Sequence, residues 1–145
     1  MPIILPWRFY QIKVEKIVKL KLQKTLKVKP TRPFAFDPTF YKPDHFTSGD
    51  NYWKPGIRWQ TWNWQGKCLG IKFSNKGTIE NPLVEIKIYA KEKLPANFVN
   101  SLVEEIEYLY NFNLDLTDFY KTFSKDKILA PILKKNRGMR PGHPS

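Results

Sequence analysis

Between Gly56 and Phe73 the chain reads GIRWQTWNWQGKCLGIKF. Ile57 and Trp59 alternate with Arg58 and Gln60, and Leu69, Ile71 and Phe73 alternate with Cys68, Gly70 and Lys72. A period of two means strands with one dry and one wet face. The two runs predict a β-hairpin. Putting Ile57 and Trp59 on the same face as Leu69, Ile71 and Phe73 calls for a three-residue loop, Trp64-Gln65-Gly66, with Gly66 in the left-handed region. Ile57 then faces Phe73 and Trp59 faces Ile71, while Arg58, Trp62 and Lys72 point outward. A two-residue loop would set Arg58 opposite Phe73 and is rejected on that ground.

The remaining segments build around this hairpin. From Ile12 to Val28 even positions are mostly apolar and odd ones mostly lysine, which predicts one long strand, or two with a kink. Lysines along one side also protect an edge strand. Residues 1–11 have no clear period and are expected to be a leader. Pro30, Pro33, Pro38, Pro43 and Pro55 punctuate an aromatic stretch that rules out a central strand or long helix. Its Phe34, Phe36 and Phe40 are expected under the sheet. Val84, Ile86 and Ile88 mark a further strand within Leu83–Ala90, with Glu85, Lys87 and Tyr89 on its other face. The period then becomes helical, with Phe98, Val99, Leu102, Val103, Ile106, Leu109 and Tyr110 forming one stripe after Pro95. Thr117 and Ser124 are the expected caps of two short helices, the second carrying Ile128, Leu129, Ile132 and Leu133. Gly138 is the stop signal. The expected class is α+β: an antiparallel sheet with helices on one face, residues 12–113, and a helical segment, 114–145.

Charge narrows the function. The chain of 145 residues has a net charge of +12. Residues 1–32 contribute nine basic groups and one acid, Glu15, for +8, and residues 134–145 contribute Lys134, Lys135, Arg137 and Arg140, for +4. The stretch between them holds twelve of each sign. Basic ends around a neutral body suggest a polyanionic partner, nucleic acid first. Catalytic chemistry is poorly provided for. His45 lies in a Pro/aromatic loop and His143 in the tail. Neither completes a metal set, so no metal or cofactor is expected. Cys68 reads as a passive, half-buried thiol. The start, MPIILPW, is no signal peptide, and no apolar run is long enough to span a membrane. One cysteine suits a reducing compartment. The expected location is cytoplasmic, associated with the nucleoid.

The run FNLDLTDFYKTFSKDKILAPILKKNRGMRPGHPS, Phe112–Ser145, resembles the junction segment of helix-hairpin-helix DNA glycosylases, which excise 8-oxoguanine and 3-methyladenine in base-excision repair. IRWQTWNWQGKCLGIKF and LVEIKIYA are similar to the Trp-rich hairpin and next strand of their N-terminal domain. The resemblance covers about residues 26–145. It implies a TATA-binding-protein-like sheet domain and a junction, 114–145, leading into a catalytic domain. The family's catalytic aspartate and Gly-rich hairpin lie downstream of that junction, so no catalytic residue carries over. The chain alone is expected to be inactive. Its implied role is to support a joined or separate catalytic domain on double-stranded DNA with a damaged base. The candidate DNA contacts are Lys134, Lys135, Arg137, Arg140, Arg58 and Trp62. Two alternatives are a stand-alone single-strand nucleic-acid-binding module, using Trp62 and the basic strand, and a protein-interaction domain. The glycosylase and interaction readings both require an open apolar surface near the C-terminal helix.

Overall fold

The structure is a computed structural model and describes residues 10–13, 16–41 and 51–141. Two short strands, β1 (Tyr10–Lys13) and β2 (Lys16–Lys19), pair antiparallel as a separate two-stranded sheet. The main sheet contains β3 (Lys21–Val28), β4 (Asn51–Lys54), β5 (Ile57–Trp64), β6 (Lys67–Asn75) and β7 (Val84–Ala90), in the order β3-β7-β6-β5-β4, with every neighbour antiparallel. Helix α1 (Phe36–Phe40) lies between β3 and β4 in the chain; α2 (Ala96–Leu109), α3 (Thr117–Phe123) and α4 (Leu129–Lys135) follow β7. The class is α+β. His45 and His143 fall outside the described residues, as does the expected leader except for Tyr10 and Gln11 of β1.

The core forms on one face of the sheet. Leu69, Ile71 and Phe73 of β6 and Val84, Ile86 and Ile88 of β7 are all buried there. Against them pack Phe98, Val99, Leu102 and Ile106 of α2, the helical stripe seen in the sequence. Phe34, Phe36 and Phe40 complete the cluster together with Tyr110 and Phe112. Full burial of each such side chain contributes about 1.5–3 kcal/mol.

The hairpin register differs from the expected one. Its loop has two residues, and Arg58 pairs with Phe73, Trp59 with Lys72 and Trp62 with Leu69. Gln65 and Gly66 both have positive φ, 49° and 75°. That is the mirror-image turn whose twist matches a hairpin. Arg58, Gln60, Trp62 and Trp64 therefore take the core side. Arg58 is only 2% exposed, Trp62 and Trp64 pack on the main cluster, and Trp59 moves to the opposite face. The outward positions expected for Arg58 and Trp62 are thus corrected. Two indole rings at 62 and 64 bring more apolar area inward than Ile57 and Trp59 would. The polar residues on that side are accommodated: Tyr110 Oη donates to Gln60 Oε1 at 2.7 Å. Burial pushes the Tyr110 phenol up to about 12.

The long basic strand is also corrected. Its direction reverses between Lys13 and Lys16, so the backbone at Ile12 pairs with that at Ile17. Within β3 the register slips between Leu22 and Lys24. The bulge turns one alternating run into two faces. Leu26 and Val28 join the main core, whereas Leu20 joins Tyr89, Trp59 and Cys68 on the far face and Leu22 is left 38% exposed. Gln23, at the slip, donates its side-chain amide to Ala90 O at 3.2 Å.

Candidate nucleic-acid interface

The C-terminal segment starts where α2 ends. Asn111 takes a φ of 52°, and Phe112 turns back so that its carbonyl accepts the Thr31 amide at 2.7 Å. The helix caps differ from those expected. Thr117 is the first residue of α3 rather than its cap; the N-cap is Leu116, which makes no side-chain cap bond, and Asp115 Oδ1 accepts the Thr117 amide at 2.9 Å and hydroxyl at 2.6 Å. These bonds hold the Asp115 carboxyl below its ordinary range. Asp126, not Ser124, caps α4, accepting the amides of Ile128 and Leu129 at 2.8 and 2.9 Å. Both aspartates place a carboxylate just before a helix start, where the dipole favours it. Ser124 instead ends α3, its amide bonding Tyr120 O at 2.9 Å. Pro131 sits in the first turn of α4, where a missing N–H is harmless.

The four basic residues of the C-terminal segment have different surroundings. Lys134 and Lys135 are exposed in the last turn of α4, a favourable place for cations. Arg137 is paired with Glu80 through Nε and Nη2, and its guanidinium stands 5.2 Å from the Tyr120 ring centroid. This bond lowers the Glu80 carboxyl below its usual range. Arg140 is 2% exposed. Its Nη1 donates to the carbonyls of Asn111 and Leu114, and its Nη2 to those of Thr31 and Pro33. Burial pushes its pKa below the ordinary arginine value. Arg58 and Trp62 lie on the core side of the sheet and do not join the exposed lysine pair.

Gly138 makes the dock between the two ends of the fold possible. Its amide donates to Tyr120 Oη at 2.8 Å and its carbonyl accepts the Ala35 amide at 2.8 Å. Its φ is +83°, and a Cβ there would stand 2.7 Å from Ala35 N and 2.9 Å from Phe34 N. Gly138→Ala is expected to lower stability by about 1–3 kcal/mol, read from urea unfolding.

Helices α3 and α4 bury no residue of their own. Ile128 is 77% and Ile132 52% exposed, and Phe119, Leu129 and Met139 are also open. The apolar surface expected near the C-terminal helix is present. Among the described residues no group of three or more His, Cys, Asp and Glu side chains could hold a metal ion, and no helix is long and apolar enough to cross a membrane.

The sheet, its helices and this C-terminal segment form a two-layer α+β fold with an open helical end. No family model matches the sequence, and no curated protein matches it. Among solved structures, the fold is similar to a 3-methyladenine DNA-glycosylase from Archaeoglobus fulgidus, with a TM-score of 0.61 at 8% sequence identity. The match covers 83% of this chain and 39% of that one, so the chain spans well under half of that protein's length.

Proposed function

We propose that this chain is the non-catalytic N-terminal domain of a base-excision-repair DNA glycosylase of the helix-hairpin-helix type. The observation that carries the reading is the fold likeness to a 3-methyladenine DNA-glycosylase over 83% of the chain. The TATA-binding-protein-like description of the sheet and the division at about residue 114 belong to the same proposal. The chemistry, hydrolysis of the N-glycosidic bond of a flipped damaged base, resides in a catalytic unit on the same or another polypeptide. This domain buttresses that unit on double-stranded DNA, in the cytoplasm at the nucleoid. The exposed apolar faces of α3 and α4 are its docking surface, and Lys134 and Lys135 are its nearest phosphate contacts. Arg137 has a carboxylate partner and Arg140 is enclosed, so the lysines lead. The single-strand module relied on an outward Trp62, which packs against the core instead.

A glycosylase assay tests the proposal directly. The chain alone is expected to release no base from duplexes carrying 8-oxoguanine or 3-methyladenine, and turnover would overturn the non-catalytic reading. The docking surface has its own test. Ile128→Asp with Ile132→Asp is expected to reduce binding of an apolar dye and concentration-dependent self-association several-fold. Stability should stay within about 0.5 kcal/mol, because both side chains are exposed. A wild-type chain that is monodisperse and binds no dye would remove the docking surface.

A further inference from the structure

The middle of the chain is neutral only when counted along the sequence. On the sheet face turned away from α2, strand register sets Tyr52, Trp59, Lys72, Lys87 and Thr25 side by side across all five strands. The adjacent row runs Lys54, Ile57, Ser74, Glu85 and Lys27. Lys76 continues the line of β6 beyond its end. Five lysines thus share a face with one carboxylate, while Glu104, Glu105 and Glu107 belong to α2 on the other side. Among the described residues, the small cluster on this face is buried Leu20 and Tyr89 with Trp59 and Cys68 packed against them, and no helix residue joins it.

Edge protection accounts for Lys54 on β4 and Lys27 on β3, since those are the outer strands. It does not account for Lys72 and Lys87, which sit directly opposite each other on the inner strands β6 and β7. Like charges in that position oppose sheet formation. Burial, and then the Lys87, Lys54 and Lys76 ammonium groups, hold Lys72 below the ordinary lysine value, with Glu85 acting the other way. Such an arrangement gains from an external anion. The Lys72 Nζ stands 5.5 Å from the centroid of a Trp59 ring, so that ring already has a cation partner. The face therefore offers cations in preference to a stacking platform.

We infer that this sheet face is a phosphate-backbone surface for duplex DNA, contacted through Lys54, Lys72, Lys76, Lys87 and Lys27. Five strands at about 4.8 Å spacing span roughly 19 Å. That exceeds the ~12 Å major groove, so lysines on the outer strands reach phosphates on both sides of it. The contacts position DNA without reading its sequence. The inference rests on the proposed repair role for its choice of DNA as the polyanion.

The test is fluorescence anisotropy of the full chain with an undamaged labelled duplex, at 50–200 mM salt. Lys54→Ala with Lys72→Ala and Lys87→Ala is expected to flatten the slope of log K against log salt by about 2.7, at ~0.9 per phosphate contact. Lys54→Ala with Lys76→Ala, both exposed and safe for folding, should flatten it by about 1.8. Unchanged slopes in folded variants overturn the inference. If Lys134→Ala with Lys135→Ala alone carries the salt dependence, the repair role stands and the sheet assignment falls. No measurable binding by the wild type also overturns it, and leaves the docking test of α3 and α4 untouched.

Discussion

Arg140→Met is expected to lower the unfolding free energy by about 3–5 kcal/mol, a large part of the total for a domain of this size. Methionine keeps most of the volume but donates nothing. Four carbonyls, of Thr31, Pro33, Asn111 and Leu114, lose the guanidinium donor at once, and that of Asn111 keeps the Leu114 amide at 3.2 Å. The Phe34 ring loses a guanidinium 5.8 Å from its centroid. Arg140→Lys is the informative companion. It keeps the charge but replaces a planar fork of donors by a point ammonium, so it should recover only a minor part of the loss. Urea unfolding checks both. If Arg140 were instead a DNA contact, the methionine variant would keep its stability within about 0.5 kcal/mol and lose affinity for duplex.

Phe40→Ala is expected to cost about 3–5 kcal/mol, which for this length lowers the melting temperature by roughly 10–20 °C. The ring is fully buried. It lies 4.4 Å from Tyr110, 4.5 Å from Phe36 and 4.7 Å from Phe73, centroid to centroid, and meets Phe34 and Phe112 edge-on. It therefore joins α1, β6 and the end of α2 in one contact set. Truncation leaves a cavity among rings too large to collapse into it. Phe40→Leu should cost much less because it fills most of that space. Thermal melts with near-ultraviolet circular dichroism check this; a shift under about 3 °C for the alanine variant would mean the cluster is not cooperative.

Elements whose pattern agrees with local physics were legible in the sequence. The α2 stripe from Phe98 to Tyr110 and the β7 alternation of Val84, Ile86 and Ile88 read directly, because every apolar position on them is a core position. The hairpin misled because both of its faces are amphipathic. Ile57 and Trp59 compete with Trp62 and Trp64, and two polar residues, Arg58 and Gln60, accompany the winning set. Alternation cannot weigh that competition; the paired positive φ angles at Gln65 and Gly66 accompany its outcome. The β3 bulge was hidden for a related reason, since one unpaired residue at Gln23 exchanges faces without disturbing the sequence pattern. Near the C-terminus, Lys134, Lys135, Arg137 and Arg140 look alike as charges along the chain. Only the fold separates two exposed lysines from an ion-paired arginine and an arginine enclosed by carbonyls. The grouping of Lys54, Lys72 and Lys87 on one sheet face was not legible, because they are far apart in sequence and acids lying mostly on other surfaces cancel them along the chain.

The clamp formed by Arg140 also sets an order of events during synthesis. Pro33 and Thr31 offer their carbonyls to a side chain that comes 107 and 109 residues later. At about 5–20 residues per second, translation leaves them waiting for roughly 5–20 s. Phe34, whose ring Arg140 covers, spends the same interval without that cover. The nascent chain thus carries an open aromatic seam until residue 140 has emerged, and a residue beyond α4 is the one that closes the segment following β3.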